Sequence, residues 1–415
     1  MNVKLTYCDF PQGEIEPVSS KSISNRALII HGLTGGKCKL HNLSQSEDTQ
    51  TLVSLLEKWQ SNEHALELDT GPAGTVMRFM TTYCALADRE IVLTGNQRMQ
   101  QRPMNALVDA LVSLGAKIEY IDRTGFAPLR ILPANVHGGK IKLRANVSSQ
   151  FISSLLLCAP YFTNGLELEL VGPVVSGSYI GLTVQVMKEF GVDVQWIGNF
   201  LKVNPGKYIP REYSVEGDWS SASYFFAWAA LSKKAHIALN GLNLLSLQGD
   251  RAIVHASEKF GVKTVSTPNG IIIEKAGKPL LARYEMDFND CPDIAQTLAV
   301  MCAGERLKEV KLTGLQTLSL KETDRIAALK TEFDRFSIVT KVDGPYSLEF
   351  DASGFEVYKG LIHTYDDHRM ALSFAPMVQK TGELIIQNAA VVKKSYINYW
   401  QDLNSLGCIV ENFDI

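Results

Sequence analysis

Phe190-Gly191-Val192-Asp193-Val194 joins two kinds of segment: an apolar residue closing a periodic stretch, a glycine, then a short β-prone alternation. A glycine in that place ends a helix, because the backbone can turn left-handed there without a Cβ penalty, and the Val-x-Val that follows starts a strand. The same arrangement stands at Leu114-Gly115-Ala116-Lys117-Ile118, Phe260-Gly261-Val262-Lys263-Thr264 and Leu406-Gly407-Cys408-Ile409-Val410. Phe336-Ser337-Ile338-Val339 fits as a degenerate copy with serine in place of glycine. From Gly115 to Gly407 the five positions lie 76, 70, 76 and 70 residues apart. Helix-Gly-strand punctuation is common in α/β proteins, but it does not by itself produce a fixed interval. The interval implies a repeated unit, with room in each copy for two helices and about four strands in alternation. No copy is visible before about residue 60.

A chain of 415 residues exceeds one ordinary core and predicts two domains. Glu216-Gly217-Asp218-Trp219-Ser220-Ser221, near the midpoint, precedes Ala222 to Leu231, a helix apolar all round and therefore buried. The domain boundary is expected there. A net charge of −3 gives no general attraction for polyanions, so nucleic acid is not a partner and any anion site must be a local cluster. Seven cysteines, Cys8, Cys38, Cys84, Cys158, Cys291, Cys302 and Cys408, are odd in number and lack paired metal-ligand spacing. They read as reduced thiols, and with no basic-then-apolar leader and no apolar run of about 18 residues the expectation is a cytoplasmic protein that meets no membrane.

Charge is concentrated at predicted helix starts. In Ser319-Leu320-Lys321-Glu322-Thr323-Asp324-Arg325, Ser319 and Glu322 form a capping box, the helix begins near Leu320, and Lys321 and Arg325 share one face. Cations are misplaced at the positive end of a helix unless an anion joins them. Lys21 and Arg26 in Ser20-Lys21-Ser22-Ile23-Ser24-Asn25-Arg26, Arg369 in Tyr365-Asp366-Asp367-His368-Arg369, and Lys394 in Val392-Lys393-Lys394-Ser395-Tyr396 repeat the pattern. Arg102 stands just before a helix opened by Pro103. A solvated, well-capped surface accounts for any one of these. Five such placements, each costing about 0.3–1 kcal/mol if unanswered, predict a ligand carrying phosphate and carboxylate charge.

Other stretches offer polar contacts at chain turns. Gly71-Pro72-Ala73-Gly74-Thr75 is small enough for a ligand to approach the backbone, and Ser148-Ser149-Gln150-Phe151 opens an apolar helix with two hydroxyls and an amide. Ser176, Ser178 and Tyr179 have a similar setting. Asp287, Asn289, Asp290, Pro292 and Asp293 introduce the apolar helix Ile294 to Ala303, with Pro292 in its first turn and Asp290 or Asp293 as its cap; capping is favoured over metal binding.

Taken in order, these clusters make the chain resemble the 5-enolpyruvylshikimate-3-phosphate synthase family of enolpyruvyl transferases from Ser19 to about Leu403. The matching segments are SKSISNRA (20–27), AGTVMR (73–78), QRPM (101–104), SSQF (148–151), VEGDWSSAS (215–223), PDIAQT (292–297), LKETDR (320–325) and DDHRMA (366–371). The resemblance implies an α/β fold of two similar domains, each of three βαβαββ units, the inside-out α/β barrel of these transferases. It implies that residues 19–216 form the first domain, that 1–18 join 217–415 in the second, and that the active site lies in the cleft between them. The implied reaction moves the enolpyruvyl group of phosphoenolpyruvate to the 5-hydroxyl of shikimate 3-phosphate and releases phosphate, on the pathway to chorismate and the aromatic amino acids.

Carried over by position, Lys21, Gly74, Thr75, Arg102, Arg325, Arg369 and Lys394 bind phosphoenolpyruvate. Ser22, Arg26, Ser148, Ser149, Gln150, Ser176, Tyr179, Asp293 and Lys321 hold shikimate 3-phosphate, and Lys21, Asp293 and Glu322 are the acid/base candidates. No cofactor or metal is implied, the partners are the two small substrates, and the expected state is a monomer. Pro72, where the family usually has Asn, and Thr317, where many members have an amide, depart from the pattern and bear on affinity rather than on reaction type. The nearest rival reading, a UDP-N-acetylglucosamine enolpyruvyl transferase, needs a cysteine shortly before the Arg102 position, and Thr94 to Arg102 contains none. A non-catalytic phosphometabolite binder would have no need of both Asp293 and Glu322.

Overall fold

The computed structural model describes residues 1–60, 65–145, 148–277 and 281–413. The chain divides into two compact units, Ser19–Val215 and Met1–Val18 with Glu216–Ile415. One complete repeat runs strand Ala65–Asp69, helix Gly74–Cys84, strand Glu90–Thr94, helix Asn105–Ser113, then the hairpin strands Lys117–Tyr120 and Leu129–Leu132. The first two strands pair in parallel (Leu66 with Ile91), the last joins antiparallel (Ile91 with Ile131), and its hairpin partner takes the edge (Ile118 with Ile131). This is the βαβαββ order. It recurs over Gly139–Val203 and Arg283–Asp351.

The periodic positions mark the same point of each repeat. Gly115, Gly191, Gly261 and Gly407 have φ of +104°, +82°, +75° and +83°, and each stands between a helix and the first strand of a terminal pair. Ser337 adopts +59° in the fifth copy, a conformation a non-glycine residue enters at some cost. The turn geometry therefore outweighs residue preference there.

Three repeats are completed by strands distant in sequence. Gln12–Ile15 pairs in parallel with His236–Asn240, and Asn2–Thr6 lies between Glu383–Ile386 and Ile409–Phe413, with Val3 opposite both Ile386 and Asn412. Glu212–Ser214 pairs in parallel with Lys39–His41. That last pair, with helices Lys21–Leu33 and Glu47–Trp59, gives residues 19–60 a reduced copy of the repeat, two-stranded among the described residues. The sequence period did not reveal it.

The first helices of the repeats form the dry centre of each unit. Helix Ala295–Gly304 is buried at every position and Trp219–Leu231 at all but Ser220. Burying a Trp, Phe or Leu side chain contributes about 1.5–3 kcal/mol, so an all-apolar helix is stable only where it is enclosed on every face. In this interior Thr297 Oγ1 lies 3.2 Å from Ser223 Oγ and 3.4 Å from Ser373 Oγ, one hydroxyl from each of three repeats. Helices Gly74–Cys84 and Ser149–Cys158 are likewise buried except at one position each, Thr75 and Gln150. Those two exceptions meet, Gln150 Nε2 donating to Thr75 Oγ1 at 2.9 Å.

Candidate active site

In the Ser19–Val215 unit, Lys21 opens helix Lys21–Leu33, and the Ser20 hydroxyl caps that helix by accepting from the Ile23 N–H at 3.4 Å. Lys21 Nζ lies 3.2 Å from Asp48 Oδ2. Arg26, one turn on, is buried. Its Nε donates to Thr183 Oγ1 at 2.7 Å, Nη1 to the Ser22 carbonyl at 2.7 Å, and Nη2 to the Tyr179 carbonyl at 3.1 Å and Ser153 Oγ at 3.2 Å. These partners are hydroxyls and carbonyls. Burial without a carboxylate pushes the guanidinium pKa down to about 10.

Gly74 begins the next helix, and its missing side chain is informative. A Cβ there would overlap Arg102 Nη1 and lie 2.6 Å from Arg78 Nη1. Two guanidinium groups thus converge on bare backbone at a helix N-terminus, an arrangement suited to an anion. Arg78 Nη1 also donates to Gln150 Oε1 at 2.8 Å, and its guanidinium lies over the Phe151 ring at 5.4 Å. Ser148 caps helix Ser149–Cys158, accepting from the Gln150 N–H at 3.3 Å, and Ser149 is buried beside it. Ser176, at φ +57°, precedes helix Gly177–Glu189 without a side-chain cap bond.

The Glu216–Ile415 segment holds a denser cluster. Asp293 Oδ2 lies 2.9 Å from Arg369 Nη2, and Oδ1 lies 3.2 Å from Arg325 Nη1 and 3.4 Å from Lys321 Nζ. Arg325, only 1% exposed, also donates from Nε to Asp367 Oδ2 at 2.7 Å and from Nη2 to Glu322 Oε2 at 2.8 Å. Burial opposes the charge on Arg325, but Asp367 and Glu322 outweigh it and hold its pKa above the ordinary value. Burial lowers the pKa of Lys321 against the pull of Asp293. Arg369 Nη1 donates to Tyr224 Oη at 3.0 Å and to the Asp293 carbonyl at 3.2 Å. Nearby, the buried Asp250 accepts from the Ser220 hydroxyl, and burial followed by repulsion from Asp293 pushes its carboxyl up to about 7. Lys394 Nζ donates to the Asp366 carbonyl at 2.6 Å.

Four local expectations are corrected. The helix expected from Leu320 runs from Arg325 to Asp334, with Leu318–Leu320 in a 3₁₀ turn and Lys321 extended between them. Asp324 displaces Ser319 as cap because its Oδ1 accepts two N–H groups, of Ile326 and Ala327, each at 3.1 Å, while Glu322 is drawn to Arg325. Lys321 and Arg325 therefore meet through Asp293 and not along a helix face. Lys394 ends the 3₁₀ helix Ala389–Lys394 and does not begin a helix; the next starts at Tyr399. Neither Asp290 nor Asp293 caps helix Ala295–Gly304, since Asp293 faces the three cations. The helix after Arg102 begins at Asn105, beyond Pro103. Lys21, Arg325 and Arg369 do lie in first turns of α-helices.

The structure thus gathers Asp293, Lys321, Glu322, Arg325 and Arg369 in one place, Gly74, Thr75, Arg102 and Gln150 in another, and Arg26 with Ser22 and Tyr179 in a third. It adds Arg78, Tyr224 and Asp367. Arg78 was legible as the residue one helical turn after Gly74, and Asp367 as an acid in cap position two residues before Arg369. Nothing in the sequence singled out Tyr224 from its apolar helix.

The family model of EPSP synthase (3-phosphoshikimate 1-carboxyvinyltransferase) matches residues 10–64 and 54–403. A 3-phosphoshikimate 1-carboxyvinyltransferase of Bacteroides fragilis is 44% identical over 395 residues, 95% of this chain and 95% of that protein. One from Psychromonas ingrahamii is 36% identical over 423 residues, 95% of this chain and 97% of that one. Among solved structures, an EPSP synthase from Acinetobacter baumannii matches with a TM-score of 0.80 at 20% identity, over 99% of this chain and 100% of that chain. The fold is the two-part α/β architecture of βαβαββ repeats that the sequence resemblance implied.

Proposed function

This chain belongs to the EPSP synthase family, and from that membership we propose how its own residues carry the family's reaction. Its activity is 3-phosphoshikimate 1-carboxyvinyl transfer: the 5-hydroxyl of shikimate 3-phosphate attacks C2 of phosphoenolpyruvate, and phosphate departs. The observation supporting the assignment of roles is the grip of Lys321, Arg325 and Arg369 on Asp293, with Glu322 on the far edge of Arg325.

The addition step needs a group to take the hydroxyl proton and one to deliver a proton to the methylene carbon; the elimination step returns that carbon to CH₂ as the C–O bond to phosphate breaks. Asp293 is assigned to orient the ring hydroxyls, Glu322 to proton transfer at the reacting carbon, and Lys21 to the leaving phosphate. Arg325, Arg369 and Lys394, with Lys21, Gly74, Thr75, Arg102 and the added Arg78, bind phosphoenolpyruvate and stabilise the departing dianion. Ser22, Arg26, Ser148, Ser149, Gln150, Ser176, Tyr179 and Lys321 hold shikimate 3-phosphate, Arg26 presenting a charge that its own neighbours leave uncompensated. The reading has a monomer, in the cytoplasm, where seven buried cysteines without a disulfide would stay reduced. No described helix is long and apolar enough to cross a membrane.

Phosphate release measured with each substrate omitted in turn is expected only when both are present, and equally with a chelator. Release from phosphoenolpyruvate alone, or activity lost to the chelator and restored by a divalent ion, would overturn these assignments.

A further inference from the structure

Tyr365 and Asp366 stand at φ +53° and +55°, two consecutive non-glycine residues in the left-handed region, one of them aromatic. Such a bend is strained and persists only where its surroundings hold it. The bend delivers two groups. Asp367, next in sequence, receives Arg325 Nε at 2.7 Å, and the Asp366 carbonyl receives Lys394 Nζ at 2.6 Å. The restraint comes from the same helix that begins with Arg325. Two turns after Arg325, the fully buried Glu332 accepts from the Tyr365 hydroxyl at 2.7 Å, while its other oxygen lies 2.9 Å from Arg335 Nε. Asn388 Nδ2 adds a bond to Asp366 Oδ1 at 2.8 Å.

The Tyr365 side chain is not part of the apolar interior: the residue is 36% exposed, and it is the hydroxyl that reaches a buried acceptor. A buried carboxylate is likewise costly unless it answers specific donors. Helix Arg325–Asp334 therefore holds the bend at both ends, through Arg325 to Asp367 and through Glu332 to Tyr365.

We propose that Tyr365 and Glu332 are positioning residues for phosphoenolpyruvate: their bond fixes the left-handed bend, so that Asp367 orients Arg325 and the Asp366 carbonyl orients Lys394. This rests on the reading of Arg325 and Lys394 as phosphoenolpyruvate ligands. Neither Tyr365 nor Glu332 touches substrate.

Tyr365→Phe keeps the ring and removes the bond. It is expected to raise KM for phosphoenolpyruvate about tenfold, the scale of one lost hydrogen bond to a charged group, with KM for shikimate 3-phosphate nearly unchanged and the protein still folded at the assay temperature. Glu332→Gln, whose amide oxygen still accepts from the hydroxyl, should recover most of the wild-type KM. Glu332→Ala should match Tyr365→Phe, and the double variant should be no worse than either. An unchanged phosphoenolpyruvate KM in Tyr365→Phe overturns the inference, as does an equal rise for both substrates accompanied by a fall in melting temperature. If Tyr365→Phe does not fold, a tenfold defect in Glu332→Gln overturns it instead. Wild-type protein that releases no phosphate from the two substrates would overturn the functional reading beneath, a result distinct from either.

Discussion

Where a side chain caps a site helix, it is a serine in the Ser19–Val215 unit and an aspartate in the other. Ser20 and Ser148 accept backbone N–H groups at the starts of Lys21–Leu33 and Ser149–Cys158; Asp218, Asp324 and Asp367 do so for Trp219–Leu231, Arg325–Asp334 and His368–Phe374. Both satisfy the exposed donors, but only aspartate cancels the positive end of the helix. The buried arginines follow suit. Arg26 is held by hydroxyls and carbonyls, Arg325 by Asp293, Glu322 and Asp367. Of these two buried arginines, Arg26 thus keeps a charge that no acid among the described residues offsets, while Arg325 is balanced by acids that set its geometry and lower the local net charge.

Removing an acid that balances a buried arginine should be the most costly change. Asp367→Ala leaves Arg325 buried without its closest partner and should cost about 3–5 kcal/mol in denaturant unfolding. Arg26→Met removes a charge whose partners are neutral and should cost only about 1–2 kcal/mol. Equal losses would show that the Arg26 charge is compensated after all. Next in size, Ser148→Asp converts one cap to the other type. Shikimate 3-phosphate affinity measured by calorimetry should weaken by about 2–3 kcal/mol through like-charge repulsion, without loss of melting temperature. Retained affinity would mean that potential at this helix start is not used for the substrate. The smallest test contrasts Ser20→Ala with Asp324→Ala, each expected to cost about 1 kcal/mol. Asp324 is exposed, so a few tenths of its contribution should vanish between low and high salt, whereas the Ser20 contribution should not change.

The repeat was legible because its marker is local: an apolar residue, a φ-positive position and a strand need only a few neighbours, and even Ser337 obeyed. The buried helix Trp219–Leu231 was legible for a related reason, since an all-apolar surface has one stable location. The resemblance put residues 1–18 with 217–415, but nothing within Gln12–Ile15 or Glu212–Ser214 states which distant strand each will meet. The site failed where a tertiary partner overrode a local pattern. Glu322 had the spacing of a capping box, but a buried arginine three residues on was the stronger attraction. Asp293 looked like a cap until three cations from two segments converged on it. Composition favoured cations at helix starts, yet Lys394 reached the same neighbourhood from the end of a 3₁₀ turn, held by a carbonyl that no spacing rule identifies.

The exchanged strands also impose a timetable on synthesis. Asn2–Thr6 is made long before both of its neighbours, Glu383–Ile386 and Ile409–Phe413. At about 5–20 residues per second the ribosome needs roughly 20–80 s to supply them. Until then Val3 and Leu5, both buried in the finished sheet, have no partner strand. The Ser19–Val215 unit has all its described strands in hand once Ser214 is made, well before those neighbours. The nascent chain must therefore keep Asn2–Thr6 unpaired while the Ser19–Val215 unit emerges behind it, and only Glu383–Ile386 and Ile409–Phe413 let that strand be seated.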